Sequence, residues 1–395
     1  MRSLIEIQPP PGGGNGLYRH EPFGATIAFR RPEMVVLVDH DFVGRRQNRT
    51  PSGQRSAEPF IQPRAPFEAH LTIGHRCDQG CQGCYIDALP DGPEDLPLAE
   101  WRQVLAHLAE LGVYHVALGA GESTPIQSFI TLAHEARRLG MTPNLSTAGS
   151  GLTPSLAKEL SVFGRVHLSL DGTAAAHERV RGHGGFESGL MSLRILRAFH
   201  PRVGVNCVVT RENFDELGSL LRLVKREGVR DVELLRFKPA GRGTRIFDRM
   251  DMTPIQYATF VDRVLGLGRR LHLHIRLDCS FAPLVCSAGI KPSRLLRAGL
   301  AGCVGGSWLV SVDGRGRLGA CSFDTAATNL GWRDLGQTNI FADYTEWTRH
   351  APEPCSSCEY LEICRGGCHV VARHLTGNFF APDPSCPRVA SMRAG

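Results

Sequence analysis

The stretch His75-Arg76-Cys77-Asp78-Gln79-Gly80-Cys81-Gln82-Gly83-Cys84-Tyr85 sets three cysteines at the spacing CxxxCxxC. It follows directly on Phe67-Glu68-Ala69-His70-Leu71-Thr72-Ile73, an apolar, alternating run that reads as a short strand. The cysteines therefore lie on a loop leaving the strand's C-terminal end, which is where α/β barrels place their chemistry. Three thiolates can hold three irons of a 4Fe–4S cluster, whereas such clusters ordinarily take four cysteines. The missing ligand leaves one iron open to a small molecule, unlike a structural metal site, which is closed.

Downstream of this loop the pattern alternates strand and helix. Strands are expected at Tyr114–Leu118, Thr142–Ser146, Arg165–Leu170, Val203–Val209 and Asp231–Arg236. Amphipathic stretches fall between and after them at Leu98–Leu111, Ile126–Arg138, Pro154–Phe163, Ser188–Phe199 and Phe214–Glu227. Repeated βα units of this kind build a parallel sheet with right-handed crossovers. The span is short for eight units, so the pattern predicts an α/β fold with a partial (β/α)6 TIM-like barrel. A further helix is expected over Pro254–Leu271 and a strand over Leu273–Leu277. Ahead of the barrel, Ala25–Phe29 and Met34–Val38 read as a β-hairpin, and Arg45–Pro66 as a linker. The expected units are thus 1–66, 67–290 and 291–395.

Composition excludes several classes. An apolar content of 42% with 21% charged residues is that of a globular protein. No uninterrupted apolar run is long enough to span a bilayer, and Pro9-Pro10-Pro11-Gly12-Gly13-Gly14 interrupts the start before a signal-peptide core could form. A cytoplasmic location and no membrane partner are expected. The net charge of +6, without a dense Lys/Arg block, does not argue for nucleic acid. Thirteen cysteines in a reducing compartment read as metal ligands or catalytic groups rather than disulfides. Ten of them fall at 77–84 and 303–386, leaving Cys207, Cys279 and Cys286 outside.

Two further stretches sit at strand ends. Leu118-Gly119-Ala120-Gly121-Glu122 puts small residues where a ligand can approach the backbone. His167-Leu168-Ser169-Leu170-Asp171-Gly172 is followed by His177, Arg181-Gly182 and Phe186. Together with the CxxxCxxC loop, these runs resemble the radical S-adenosylmethionine superfamily, in its SPASM-bearing, peptide-modifying branch. The resemblance implies that Cys77, Cys81 and Cys84 ligate the catalytic cluster, and that its open iron chelates S-adenosylmethionine. It also implies that Glu122 contacts the methionine amino group while Ser169 and Arg181 hold the carboxylate, which a guanidinium fork can grip bidentately. Ala120 replaces one glycine of the Gly-Gly-Glu motif. Gly83 stands where relatives carry an aromatic residue against adenine, and Ser146-Thr147-Ala148-Gly149 stands where they often have Thr-Asn-Gly.

The C-terminal region repeats the cysteine theme. Cys303, Gly316 and Cys321 follow Cx12Gx4C, and Cys355, Cys358, Cys364 and Cys368 follow Cx2Cx5Cx3C, with Cys386 after them. Zinc is the competing reading for the Cx2C pair taken alone. The resemblance implies instead a SPASM domain with two auxiliary 4Fe–4S clusters. Cys303, Cys321 and Cys368 would serve the first, and Cys355, Cys358, Cys364 and Cys386 the second. Cys279 or Cys286 could complete the first cluster, or it could stay open.

The expected function is hydrogen abstraction by a 5′-deoxyadenosyl radical from a residue of a ribosomally made precursor peptide. Partners implied are that peptide, an electron donor such as flavodoxin or ferredoxin, and a separate leader-binding protein. A sulfatase-maturing, formylglycine-forming oxidase is the alternative within enzymes, and a non-catalytic iron–sulfur or zinc protein the alternative outside them.

Overall fold

The computed structural model describes residues 5–7, 16–30, 33–40, 42–43, 62–122, 125–182, 185–324 and 328–393. The first strands, β1 (Ile5–Ile7), β2 (Gly16–Glu21), β3 (Gly24–Arg30) and β4 (Glu33–Asp39), form an antiparallel sheet in chain order. The expected hairpin is therefore β3 and β4 of a larger sheet. Its extra strands escaped notice because Gly16-Leu17-Tyr18-Arg19-His20-Glu21 is mostly polar or small. Most of the expected linker lies outside the described residues.

Arg19 locks this sheet to the barrel. Its guanidinium donates to the Ala65 carbonyl (2.7 Å) and the Gly112 carbonyl (2.7 Å), and pairs with Glu21 at 2.5 Å. It also lies over the rings of Phe67 and Tyr114, about 5 Å from each centroid. All four barrel residues precede strands, so the sheet docks at the end of the barrel opposite the cysteine loop.

The barrel strands are β5 (Glu68–Thr72), β6 (His115–Gly119), β7 (Thr142–Thr147), β8 (Arg165–Ser169), β9 (Val203–Val209), β10 (Asp231–Arg236) and β11 (His274–Leu277). Each pairs in parallel with the next. The far edge of β5 is taken by β12 (Leu309–Val312), parallel to it, and then by β13 (Leu318–Gly319), antiparallel. Two strands from beyond residue 291 thus extend the barrel sheet, so the division expected at 290–291 runs through one hydrogen-bonded structure.

The helices form where apolar residues recur on one face. In α1 (Leu98–Glu110) these are Trp101, Val104, Leu105 and Leu108; in α6 (Leu217–Arg226) they are Leu217, Leu220, Leu221 and Val224. Between these lie α2 (Ile126–Arg138), α3 (Pro154–Glu159), α4 (Ala174–Arg181) and α5 (Gly185–Phe199). The longest, α7 (Pro254–Leu271), starts on a capping box between Thr253 and Gln256 and stops at His272, whose φ is 51°. The helical runs expected over Pro154–Phe163 and Phe214–Glu227 divide into an α segment and a 3₁₀ turn.

Alternate strand residues face the helices or the concave side. Ala69, Leu71, Val116, Leu118, Val166, Leu168, Val232 and Leu234 pack with the helices into one core. The concave face is polar, unlike the branched apolar filling of a closed barrel. There Arg276 reaches His167 Nε2 (3.1 Å) and Glu233 (3.4 Å), and His167 Nδ1 lies 3.4 Å from Glu233. Asn206 donates to Ser146 Oγ at 3.2 Å. Gly204 makes room for the His167 ring, since a Cβ there would stand 2.4 Å from its Cδ2.

Candidate active site at the mouth of the barrel

The cysteine loop leaves β5 and is held from three sides. His75 donates its backbone N–H to Asp95 Oδ2 (2.9 Å) and its ring Nδ1 lies 2.7 Å from Asp95 Oδ1. Cys77 donates to the Leu89 carbonyl at 3.0 Å and Leu89 to that of His75 at 3.0 Å, closing the loop on itself. Arg242, from the segment after β10, donates to the carbonyls of Cys81 (3.1 Å) and Ala88 (2.7 Å). The Ala88 N–H points to Cys84 Sγ at 3.4 Å. Arg242 gave no signal in the sequence, because its partners, the Cys81 and Ala88 carbonyls and the Asp87 carboxylate, lie more than 150 positions away.

The Gly-rich turn after β6 touches this loop directly. Gly121 donates to the Gly74 carbonyl at 2.9 Å, and a Cβ on it would come within 2.2 Å of the Arg76 carbonyl oxygen. Ala120 instead packs on the hydrophobic core. The glycine that contact demands is retained, and the one replaced by alanine is not needed for it. Glu122 turns to the loop after β7, accepting from the Ala148 N–H (2.6 Å) and from Thr147 Oγ1 (3.1 Å).

Arg181, at the end of α4, is aimed by Asp171, whose carboxylate takes its Nε–H. Asp171 is itself fully buried, and its other oxygen accepts from Val208 N at 2.6 Å. Burial works against the Arg181 cation, yet Asp171 outweighs this and raises its pKa. Burial likewise pushes the Cys81 thiol up, with Arg181 pulling the other way. Asp171 thus positions a guanidinium while leaving both terminal nitrogens free of it. His177 Nδ1 accepts from the Asp171 N–H at 3.2 Å, and burial lowers its pKa.

These groups converge on a cleft of about 320 Å³, open mouth included, lined by Cys81, Ala148, Ser169, His177, Arg181 and Gly185 among others. Cys81, Ser169 and Arg181 line one cleft, and Glu122 reaches its wall through Ala148. Asp171 and His177 stand in the run after Ser169 with no local signal of these contacts.

Gly83 has a structural reason for departing from the aromatic expected there. A Cβ on it would lie 2.5 Å from Phe237 Cε2, so the ring of Phe237, just after β10, already fills that volume. Gly83→Phe is expected to weaken S-adenosylmethionine binding by about 1–3 kcal/mol through overpacking, and Gly83→Phe with Phe237→Ala to recover most of it. Equal affinity of the single variant and the parent in an equilibrium binding assay would show that Phe237 moves aside freely.

The C-terminal cysteines form two groups. Cys303 has Cys279, Cys321 and Cys368 as charge neighbours, and burial raises its thiol pKa well above the ordinary value. Cys279 sits in the turn after β11, pushed up to about 12 first by burial and then by Asp278. The second group, Cys355, Cys358, Cys364 and Cys386, lines a largely apolar cavity of about 370 Å³ with Cys286. Among the described residues no three His, Cys, Asp or Glu close on one point as ligands of a single ion would.

Residues 71–224 match the family described as the Radical SAM superfamily. The chain's relatives include the mycofactocin maturase MftC of Mycolicibacterium smegmatis, 29% identical over 335 residues covering 82% of this chain and 83% of that protein. The PqqA peptide cyclase of Rhizobium meliloti is 27% identical over 348 residues, 84% of this chain and 88% of that one. Among solved structures, Streptococcus suis SuiB bound to S-adenosylmethionine superposes with a TM-score of 0.73 at 13% identity, covering 94% of this chain and 98% of SuiB. Native anSMEcpe with bound AdoMet and a peptide follows at 0.64 and 16%, covering 83% and 96%. No helix among the described residues is long and apolar enough to cross a membrane.

Proposed function

We propose that this enzyme modifies a ribosomally made precursor peptide, by hydrogen abstraction from one of its residues at the mouth of the barrel. The observation that carries this reading is the cleft that unites Cys81, Ser169 and Arg181 above a polar concave face. The relatives named as a peptide maturase and a peptide cyclase support the substrate class.

With a 4Fe–4S cluster and S-adenosylmethionine bound, the site supplies a 5′-deoxyadenosyl radical. Cys77, Cys81 and Cys84 hold that cluster. Arg181, fixed by Asp171 and flanked by Ser169, receives the methionine carboxylate. Glu122 offers its carboxylate to the methionine amino group. Below the mouth, Ser146, Asn206, His167 and Glu233 offer donors and acceptors to an extended peptide. The N-terminal sheet docks at the far end of the barrel. Five strand residues at about 3.3 Å each put roughly 16 Å between it and the mouth, so the sheet can hold only a distant part of the same peptide.

For the C-terminal module we assign Cys279, Cys303, Cys321 and Cys368 to the first auxiliary cluster, with Cys279 as its fourth ligand. Cys355, Cys358, Cys364 and Cys386 take the second. The thiols of the second group line a cavity of about 370 Å³, open mouth included, which is room that a cluster needs and a single zinc does not.

The test is to incubate the reduced protein with S-adenosylmethionine and short peptides encoded beside its gene. 5′-Deoxyadenosine together with a mass change in one peptide is expected; cleavage with no peptide altered in any such pairing refutes the substrate class. Iron counting tests the module. About twelve irons per chain are expected, four for each of three clusters, and Cys279→Ala lowers the count. An unaltered count in Cys279→Ala removes Cys279 as a ligand.

A further inference from the structure

The second cysteine group holds one thiol more than a cluster uses. Cys286, from the helix Ala282–Ser287, lines the same cavity as Cys355, Cys358, Cys364 and Cys386. It is 3% exposed and belongs to one packed apolar cluster with Cys358 and Cys364 at its edge. A 4Fe–4S cluster takes four cysteines, and the other four stand at the spacing that brings them there.

A hydrogen-bond donor reaches the same group from the helix Pro387–Arg393. Arg388, two residues after Cys386, donates its Nη1–H to Cys358 Sγ at 3.3 Å. Its guanidinium is held over the Tyr360 ring, 4.7 Å from the centroid, and Tyr360 is anchored by its hydroxyl on the Ile290 carbonyl at 2.9 Å. Glu359 stands 3.6 Å from the other terminal nitrogen. One of the four sulfurs, that of Cys358, therefore has a hydrogen-bond donor built into the protein, and the buried Cys286 thiol lines the cavity that all four share.

Hydrogen bonds to ligand sulfurs draw electron density from the cluster and favour its reduced form, and so raise its reduction potential. We propose that Cys286 is not a ligand but a positioning residue that, with Arg388, hydrogen-bonds the ligand sulfurs of the second auxiliary cluster and sets its potential above that of an otherwise identical site. This rests on the cluster assignment made above for Cys355, Cys358, Cys364 and Cys386. Its functional meaning is that this cluster is tuned to accept electrons, which suits an oxidative modification of a peptide.

The experiment is a potentiometric titration followed by electron paramagnetic resonance on the full-length, anaerobically reconstituted protein. Cys286→Ala and Arg388→Met should keep the parent's iron count while the potential of one auxiliary cluster moves negative in each, and further in the double variant. Cys286→Ser retains a donor of similar size and should return the potential most of the way to that of the parent. Loss of iron from Cys286→Ala, with Cys286→Ser equally depleted, would make Cys286 a ligand and overturn the proposal. Full iron with all potentials unmoved in Cys286→Ala and Arg388→Met would overturn it as well, reducing both residues to packing. Absence of a second auxiliary cluster from the parent would instead refute the underlying assignment.

Discussion

Replacing Cys77, Cys81 and Cys84 together by alanine is expected to abolish 5′-deoxyadenosine formation while leaving the iron of the C-terminal groups in place. The three thiols sit on a loop whose backbone is held by Asp95, Leu89 and Arg242, none of which belongs to the C-terminal cysteine groups. On the proposed assignment, removing the sulfurs deletes the cluster that would bind S-adenosylmethionine and spares the other groups. Iron should fall by about four per chain, the content of one cluster. S-adenosylmethionine cleavage and iron are measured on the same sample. Persistent cleavage in the triple variant would place S-adenosylmethionine at another cluster, and loss of all iron would mean that the loop nucleates the whole assembly.

The largest expected effect on stability comes from Asp383. Arg236, at the end of β10, donates to Asp383 Oδ2 at 2.5 Å, to the Tyr257 hydroxyl at 2.8 Å and to Ser385 Oγ at 2.8 Å. Asp383 also accepts from the Cys368 N–H at 3.1 Å. Both charges are buried, at 3% and 0% exposure. Asp383→Ala leaves an uncompensated guanidinium in the interior, a loss of about 3–5 kcal/mol. Replacing both partners with apolar residues, as in Arg236→Met with Asp383→Leu, should cost less, because no buried charge is left unpaired. The measurement is the urea midpoint of the circular dichroism signal under anaerobic conditions. A midpoint in Asp383→Ala equal to that of the parent would show that water reaches Arg236 and that the pair does not join the barrel to the cysteine module.

How much of the site was legible in advance depends on how far apart its partners stand in the chain. Cys77, Cys81 and Cys84 occupy one loop, Glu122 follows β6, Ser169 ends β8 and Arg181 ends α4, so the short motifs of the family resemblance name them as candidates. Asp171 is only ten residues from Arg181, but its role required knowing that α4 folds back over the end of β8. The reason for Gly83 lies in Phe237, which reaches it only when β5 and β10 curve towards each other. The polar concave face was written in alternations such as Glu68-Ala69-His70 and Asp231-Val232-Glu233, yet alternation alone cannot say whether a polar row meets water, a ligand or another strand.

By itself the sequence determined the order of strands and helices of the barrel, the loop bearing the CxxxCxxC motif and the spacing of the C-terminal cysteines. These are local properties, carried by side-chain period and by ligand spacing within a few residues. Tertiary structure alone decided that β12 joins β5, that Cys279 lies with the first cysteine group and Cys286 with the second, and that the N-terminal sheet docks at the end away from the mouth. Cys279 and Cys286 are seven residues apart in the chain, and nothing local distinguishes them. Cys279 opens the turn Cys279–Phe281 and Cys286 lies in the helix Ala282–Ser287 that follows, and the side on which each thiol emerges is settled by packing against residues beyond position 300, such as Tyr360, Ile363 and Cys364 for Cys286.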